Sequence, residues 1–151
     1  MSAHLKIPIG FVPITFQLLV VSLIGLLLNK TQILFTMIGY IVLGLIGLPV
    51  FASGAGITYL ASPSFGFIIG FIFFALILNY FDKRIIGLSI GYVVLYIIGL
   101  SYLTFIIRII LQNPISLQTI FVSYWAVFLF NDLLSIGLSL VLHKRLKVLV
   151  I

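Results

Sequence analysis

Few side chains in this sequence are equipped for chemistry, and their placement narrows what that chemistry can be. There are two carboxylates, Asp82 and Asp132, two imidazoles, His4 and His143, and no thiol. Catalysis by paired carboxylates needs both groups within reach of one reacting bond, and these two acids stand far apart in the chain. The histidines share no spacing with other ligand types, so neither a metal site nor a cofactor is expected. No Walker-type phosphate loop occurs, so the chain itself hydrolyses no nucleotide. What remains is recognition, with no bond made or broken.

The residue best suited to recognition is Asp132, which lies with Asn131 in an otherwise apolar stretch, residues 117–142. A carboxylate within a membrane segment costs several kcal/mol unless it is paired or solvated. It either caps its own helix or accepts hydrogen bonds in a polar pocket. Asn131, a neighbouring source of donors, favours the pocket, where the pair would hold a neutral polar ligand. Arg108 has two readings: snorkelling to lipid headgroups, or anchoring a ligand carboxylate. Gln17 lies in an apolar run, where its amide needs a partner. Tyr59, Phe65 and Phe67 flank an uncharged Gly/Ser loop, either as interfacial belt residues or as rings that stack on a flat ligand.

The elements that must position these groups are apolar helices. Of 151 residues, 64% are hydrophobic and 7% charged, against roughly 25% charged in a soluble domain. Such a surface is suited to lipid. The chain reads as a single all-α membrane domain, residues 1–151, with about five transmembrane helices at 13–28, 32–48, 66–81, 85–107 and 117–142. Asn131-Asp132 is the expected break in the last of these, a short outer helix ending near Phe130 and the final helix starting at Asp132. Between the second and third runs, residues 50–66 form an uncharged Gly/Ser/Ala loop. That composition suggests backbone lying close to something or dipping into the protein.

The net charge of +6 reflects membrane topology rather than nucleic acid. With the C-terminus in the cytoplasm, Lys30, Lys83, Arg84, Lys144, Arg145 and Lys147 fall inside and only Lys6 and Arg108 outside, the preferred sense of the positive-inside rule. The Gly/Ser loop, the 108–117 segment and the Pro8–Pro13 region then share the outer face, where they would form the mouth of a pocket. The expected location is the plasma membrane. Two other classes fit the composition, a small permease acting alone and a non-transporting anchor subunit. Ion coupling would need a pair of intramembrane charges, and only Asp132 qualifies. An anchor would leave the Gly/Ser loop without a reason.

Four segments in order resemble a known family. Ile7-Pro8-Ile9-Gly10-Phe11-Val12-Pro13-Ile14-Thr15-Phe16-Gln17 is similar to I-P-x-G-x-V-P-[IF]-T-x-Q. Gly47-Leu48-Pro49-Val50-Phe51-Ala52, followed by Ser62-Pro63-Ser64-Phe65-Gly66-Phe67-Ile68-Ile69-Gly70-Phe71, is similar to G-L-P-V-F-A … G-P-T-x-G-Y-x-x-G-F. Tyr96-Ile97-Ile98-Gly99-Leu100 is a weaker match, and Phe130-Asn131-Asp132-Leu133-Leu134 resembles G-D-L-[IL]-K. The family is BioY, the biotin-binding S components of energy-coupling-factor (ECF) transporters. The resemblance implies a six-helix bundle that captures biotin on the outer face and hands it to a membrane coupling subunit driven by two ATPases. It implies that Asp132 meets the ureido ring and that the loop after Gly47 closes over the ligand. There are two departures. Ser135 stands where the family has lysine, and the first helix is missing or reduced to residues 1–7. Five helices would leave the N-terminus outside.

Overall fold

Asn29 ends one helix and starts the next. Its side chain accepts a hydrogen bond from the Gln32 N–H (3.0 Å), and the Gln32 side chain accepts from the Asn29 N–H (3.0 Å). This reciprocal cap satisfies two N–H groups that a helix start leaves unpaired. Helix α1 (Gln17–Leu27) thereby passes through Leu28 and Asn29 into α2 (Lys30–Ile46). At its other end α2 stops at Gly47, whose φ of 116° is left-handed and suited to glycine. A short 3₁₀ turn, Ile57–Ala61, leads into α3 (Phe65–Tyr80). Helix α4 (Arg84–Phe105) continues as a π turn, Ile106–Ile110, and α5 spans Val127–Val150. Ahead of α1, strands β1 (Lys6–Ile7) and β2 (Ile14–Thr15) pair antiparallel, Lys6 opposite Thr15. This computed structural model describes residues 6–7, 14–52, 54–110, 112, 116, 118 and 127–150.

Glycine sets the closeness of the central helix pair. A β-carbon on Gly70 of α3 would lie 2.7 Å from the Leu95 side chain and 3.1 Å from the Leu95 carbonyl of α4. One on Gly99 of α4 would lie 2.5 Å from the Phe67 ring of α3. Each helix offers a notch that the other fills, so the two pack along most of their length. Helix α1 sits on the other flank of α3, where Gly25 faces the Ala75 backbone, and α5 packs against α1. Leu18, Val21, Phe71, Phe74, Leu95 and Tyr96 contribute to the core these helices share.

The expected apolar runs and the observed helices agree closely, with three differences. Helix α1 begins at Gln17 because Ile14 and Thr15 are engaged in the strand pair. The fourth helix, expected to end at residue 107, continues as the π turn to Ile110, and Arg108 rides on it. Nor do Asn131 and Asp132 break the last helix, which runs through them from Val127 and on through the basic cluster Lys144–Lys147. The stretches 8–13, 113–115 and 119–126 lie outside the described residues, and with them the expected Pro8–Pro13 region and part of the 108–117 segment. Among the described residues one helical stretch, Arg84–Ile110, is long and apolar enough to cross a bilayer. Helices α1, α2 and α3 are apolar but shorter.

Candidate functional site

The loop after Gly47 is held down at several points. Phe51 folds back so that its ring lies on Gly44, where a β-carbon would be 2.1 Å away. Gly56 donates its N–H to the Gly44 carbonyl (2.7 Å). The buried Phe51 ring packs against Tyr59 (centroids 4.5 Å apart) and edge-on to Tyr40 (5.4 Å). The Tyr40 hydroxyl accepts from Gln17 Nε2 (2.7 Å) and donates to the Val50 carbonyl (3.3 Å), tying loop to α1 and α2. The hydroxyls of Tyr59 and Ser64 are hydrogen-bonded (2.9 Å), as are those of Ser64 and Ser62 (2.8 Å). Tyr102 on α4 donates to the Leu60 carbonyl.

Under this loop lies a cavity of about 70 Å³ that opens at a mouth. Its walls are mainly apolar: Leu18, Phe67, Ile68, Phe71, Leu95 and Phe128. The loop side supplies Ala52, Tyr59 and Ser64, and α1 supplies Gln17. Tyr96 on α4 with Asn131 and Asp132 on α5 complete the lining.

Asp132 is buried, and its charge is answered from another helix. Tyr96 and Tyr92, one turn apart on α4, both donate to Asp132 Oδ2, Tyr92 at 3.3 Å. Phenol donors suit a carboxylate held away from water, since an unpaired buried acid is expensive. The tyrosine rings lie 4.7 Å apart, and Tyr96 meets Phe67 edge-on (5.7 Å), so the hydroxyls are held by packed rings. This support explains why α5 runs through Asp132. The acid has no need to cap a helix when donors arrive from α4.

The structure brings four of the six sequence candidates, Gln17, Tyr59, Asn131 and Asp132, to one cavity. Phe65 stands one layer behind, buried against Phe51, Tyr59 and Ile68. Arg108 is exposed on the π turn, away from the cavity wall. Tyr96, Tyr92, Ser64 and Phe128 were not among the sequence candidates. For the tyrosines a signal existed: two phenols four residues apart in an apolar helix, in a chain with one intramembrane acid to satisfy.

Fold and cavity define a class, an apolar helical bundle with a mainly apolar cavity between its helices and under one inter-helix loop. Comparison with known proteins makes the class particular. The BioY family model matches residues 1–150, and the chain belongs to that family. It is 36% identical to the probable biotin transporter BioY of Lysinibacillus sphaericus over 80% of this chain and 66% of that one. It is 29% identical to the biotin transporter BioY of Thermotoga maritima over 97% of this chain and 87% of that one. The fold matches a crystal structure of the S-component for biotin from an ECF-type ABC transporter, with a TM-score of 0.72 at 28% identity, covering 97% of this chain and 82% of that one. The alignments span only about two thirds of several curated relatives, 66% of the Lysinibacillus sphaericus protein and 63% of a Lactococcus lactis one.

Proposed function

We propose that this chain is a biotin-capturing membrane subunit of an ECF-type uptake system, and that it catalyses no reaction. The observation that carries the reading is the polar end of the cavity. A single buried acid, with its amide neighbour Asn131, faces a mainly apolar chamber. Biotin has the complementary form: a flat ureido ring with N–H donors, an apolar ring edge and a flexible tail. The ring would meet Asp132 and Asn131, and the apolar part would meet Phe67, Phe71 and Leu95. The tail would run toward the loop hydroxyls of Tyr59 and Ser64. Matched polar groups at one end of an apolar pocket give orientation, while burial gives affinity.

The chain would lie in the plasma membrane with its C-terminus in the cytoplasm. Supporting a place in lipid, Phe35, Ile46, Ile85 and Phe130 are each about three-quarters exposed, while the side of the C-terminus follows from the positive-inside rule. Helices α1 to α3 are short for a ~30 Å core and would cross it together with the loops that cap them. The resting loop, anchored by Phe51 and Tyr40, would admit biotin by releasing those contacts and would close again over it. Delivery to the cytoplasm would need a coupling subunit and its ATPases, since this chain has no nucleotide-binding loop.

The test is equilibrium binding of biotin to the purified chain in detergent, with thiamine and riboflavin as controls. Tight, selective binding supports the reading. A folded chain that binds none of the three would overturn it and favour the anchor alternative, and biotin uptake by the chain alone in vesicles would favour a permease.

A further inference from the structure

The mode of binding to Asp132 carries a consequence for selectivity. Both phenols reach the same oxygen, Oδ2. Among the described residues no hydrogen bond is made to Oδ1, although Asp132 stands in the cavity wall. No lysine, arginine or histidine is found among the described lining residues. A bare carboxylate in such a chamber would call for a cation, because an uncompensated buried charge is costly. With two phenols sharing its charge, the group instead presents one moderated acceptor, suited to a neutral N–H donor.

We propose that Tyr96, assisted by Tyr92, is a specificity-determining positioning residue: the phenol pair engages one oxygen of Asp132 and leaves the other to accept an N–H of a neutral cyclic urea in preference to a cation. The inference rests on the biotin reading above. Tyr96 is the stronger partner, because it is buried and lines the cavity, whereas Tyr92 is half-buried and its bond is long. The two rings pack on each other, and Tyr96 also meets Phe67 edge-on, so a phenylalanine at either position keeps the packing and removes only the hydroxyl.

The experiment compares biotin with iminobiotin, whose ring is a protonated guanidine at neutral pH and otherwise has nearly the same shape. Affinities for both are measured on the purified full chain and on Tyr96→Phe and Tyr92→Phe, with folding checked by circular dichroism and gel filtration. The preference of the wild-type chain for biotin over iminobiotin should fall by about tenfold or more in Tyr96→Phe, the scale of one hydrogen bond to a charged group. The fall should be smaller, in the same direction, in Tyr92→Phe. A purely structural defect would weaken both ligands alike and leave the ratio unchanged. An unchanged or increased ratio in a folded Tyr96→Phe sample overturns the inference while the biotin reading stands. If Tyr96→Phe does not fold, the ratio in Tyr92→Phe decides by the same criterion. A wild-type chain that binds no biotin takes both down.

Discussion

The two polar sides of the cavity are built differently. On one side Asp132 is held by Tyr96 and Tyr92, and all three residues belong to long helices, α4 and α5. On the other, Tyr59 and Ser64 belong to a short 3₁₀ turn and the loop beside it, tied by neutral hydrogen bonds and by one ring seated on a glycine. Helix-borne groups keep their positions because moving them means moving a packed helix. Loop-borne groups are released when a few contacts of about 1 kcal/mol each give way. The division suggests that one side recognises and the other admits. Substitutions on the helix side should therefore change affinity and selectivity, and those on the loop side should change rates.

The largest effect is expected at the acid. Asp132→Ala removes the only buried carboxylate among the described residues and leaves two phenols without their acceptor. Biotin binding should weaken by about 1–3 kcal/mol, measurable by calorimetry. Unchanged affinity would remove Asp132 from the site and dissolve the contrast between the two sides.

Gly44→Ala tests the loop side. The new methyl group would overlap the Phe51 ring, with carbon atoms 2.1–2.4 Å away. The ring is buried among Tyr40, Tyr59 and Phe65 and must move to make room, so the cost should be that of overpacking, about 1–3 kcal/mol. Thermal unfolding in detergent would read this cost. The sharper readout is kinetic: biotin should dissociate faster while its preference over iminobiotin stays at the wild-type value. A changed preference would mean that loop and acid act as one unit. Tyr40→Phe is a milder version. It removes the donor to Val50 and the acceptor for Gln17, for an expected loss of about 0.5–1 kcal/mol, again in the dissociation rate.

The contrast between the sides also marks what the sequence could reveal. Helix positions follow from local pattern: the apolar runs, the polar stop at Asn29 and the basic turn before α4 all registered near the right places, while the stop at Gly47 falls just inside the expected 32–48 run. The loop's inward fold was signalled by its lack of charge, which leaves a segment free to lie against the protein. Asp132 misled the local reading, because Asn-Asp in an apolar run has the form of a helix start. What overrode that preference was a pair of donors from α4, distant in sequence and brought near only by packing. The same reasoning explains why Tyr92 and Tyr96 went unrecognised. A tyrosine on an apolar helix has many bland explanations until the acid opposite is seen.

Arg108 gives the smallest expected effect and bears on where the ligand's tail ends. Its position beyond the apolar part of α4 allowed two readings, a headgroup contact or an anchor for a carboxylate. The structure sets it on an exposed part of the π turn. Its neighbours Ile106 and Ile107 turn inward, and Ile107 packs with Phe128, itself part of the cavity wall. The helix thus presents its apolar residues to the site and its cation away from it. If the tail carboxylate is met only by neutral groups such as the Tyr59 and Ser64 hydroxyls, Arg108→Gln should leave biotin affinity within about 0.5 kcal/mol of wild type, the usual range for a surface change. Biotin amide, which lacks the tail charge, should then lose equally little affinity in the wild-type chain and in Arg108→Gln. A loss in wild type that disappears in Arg108→Gln would instead assign the tail to Arg108, and would require the π turn to swing its cation over the mouth of the cavity when ligand is bound.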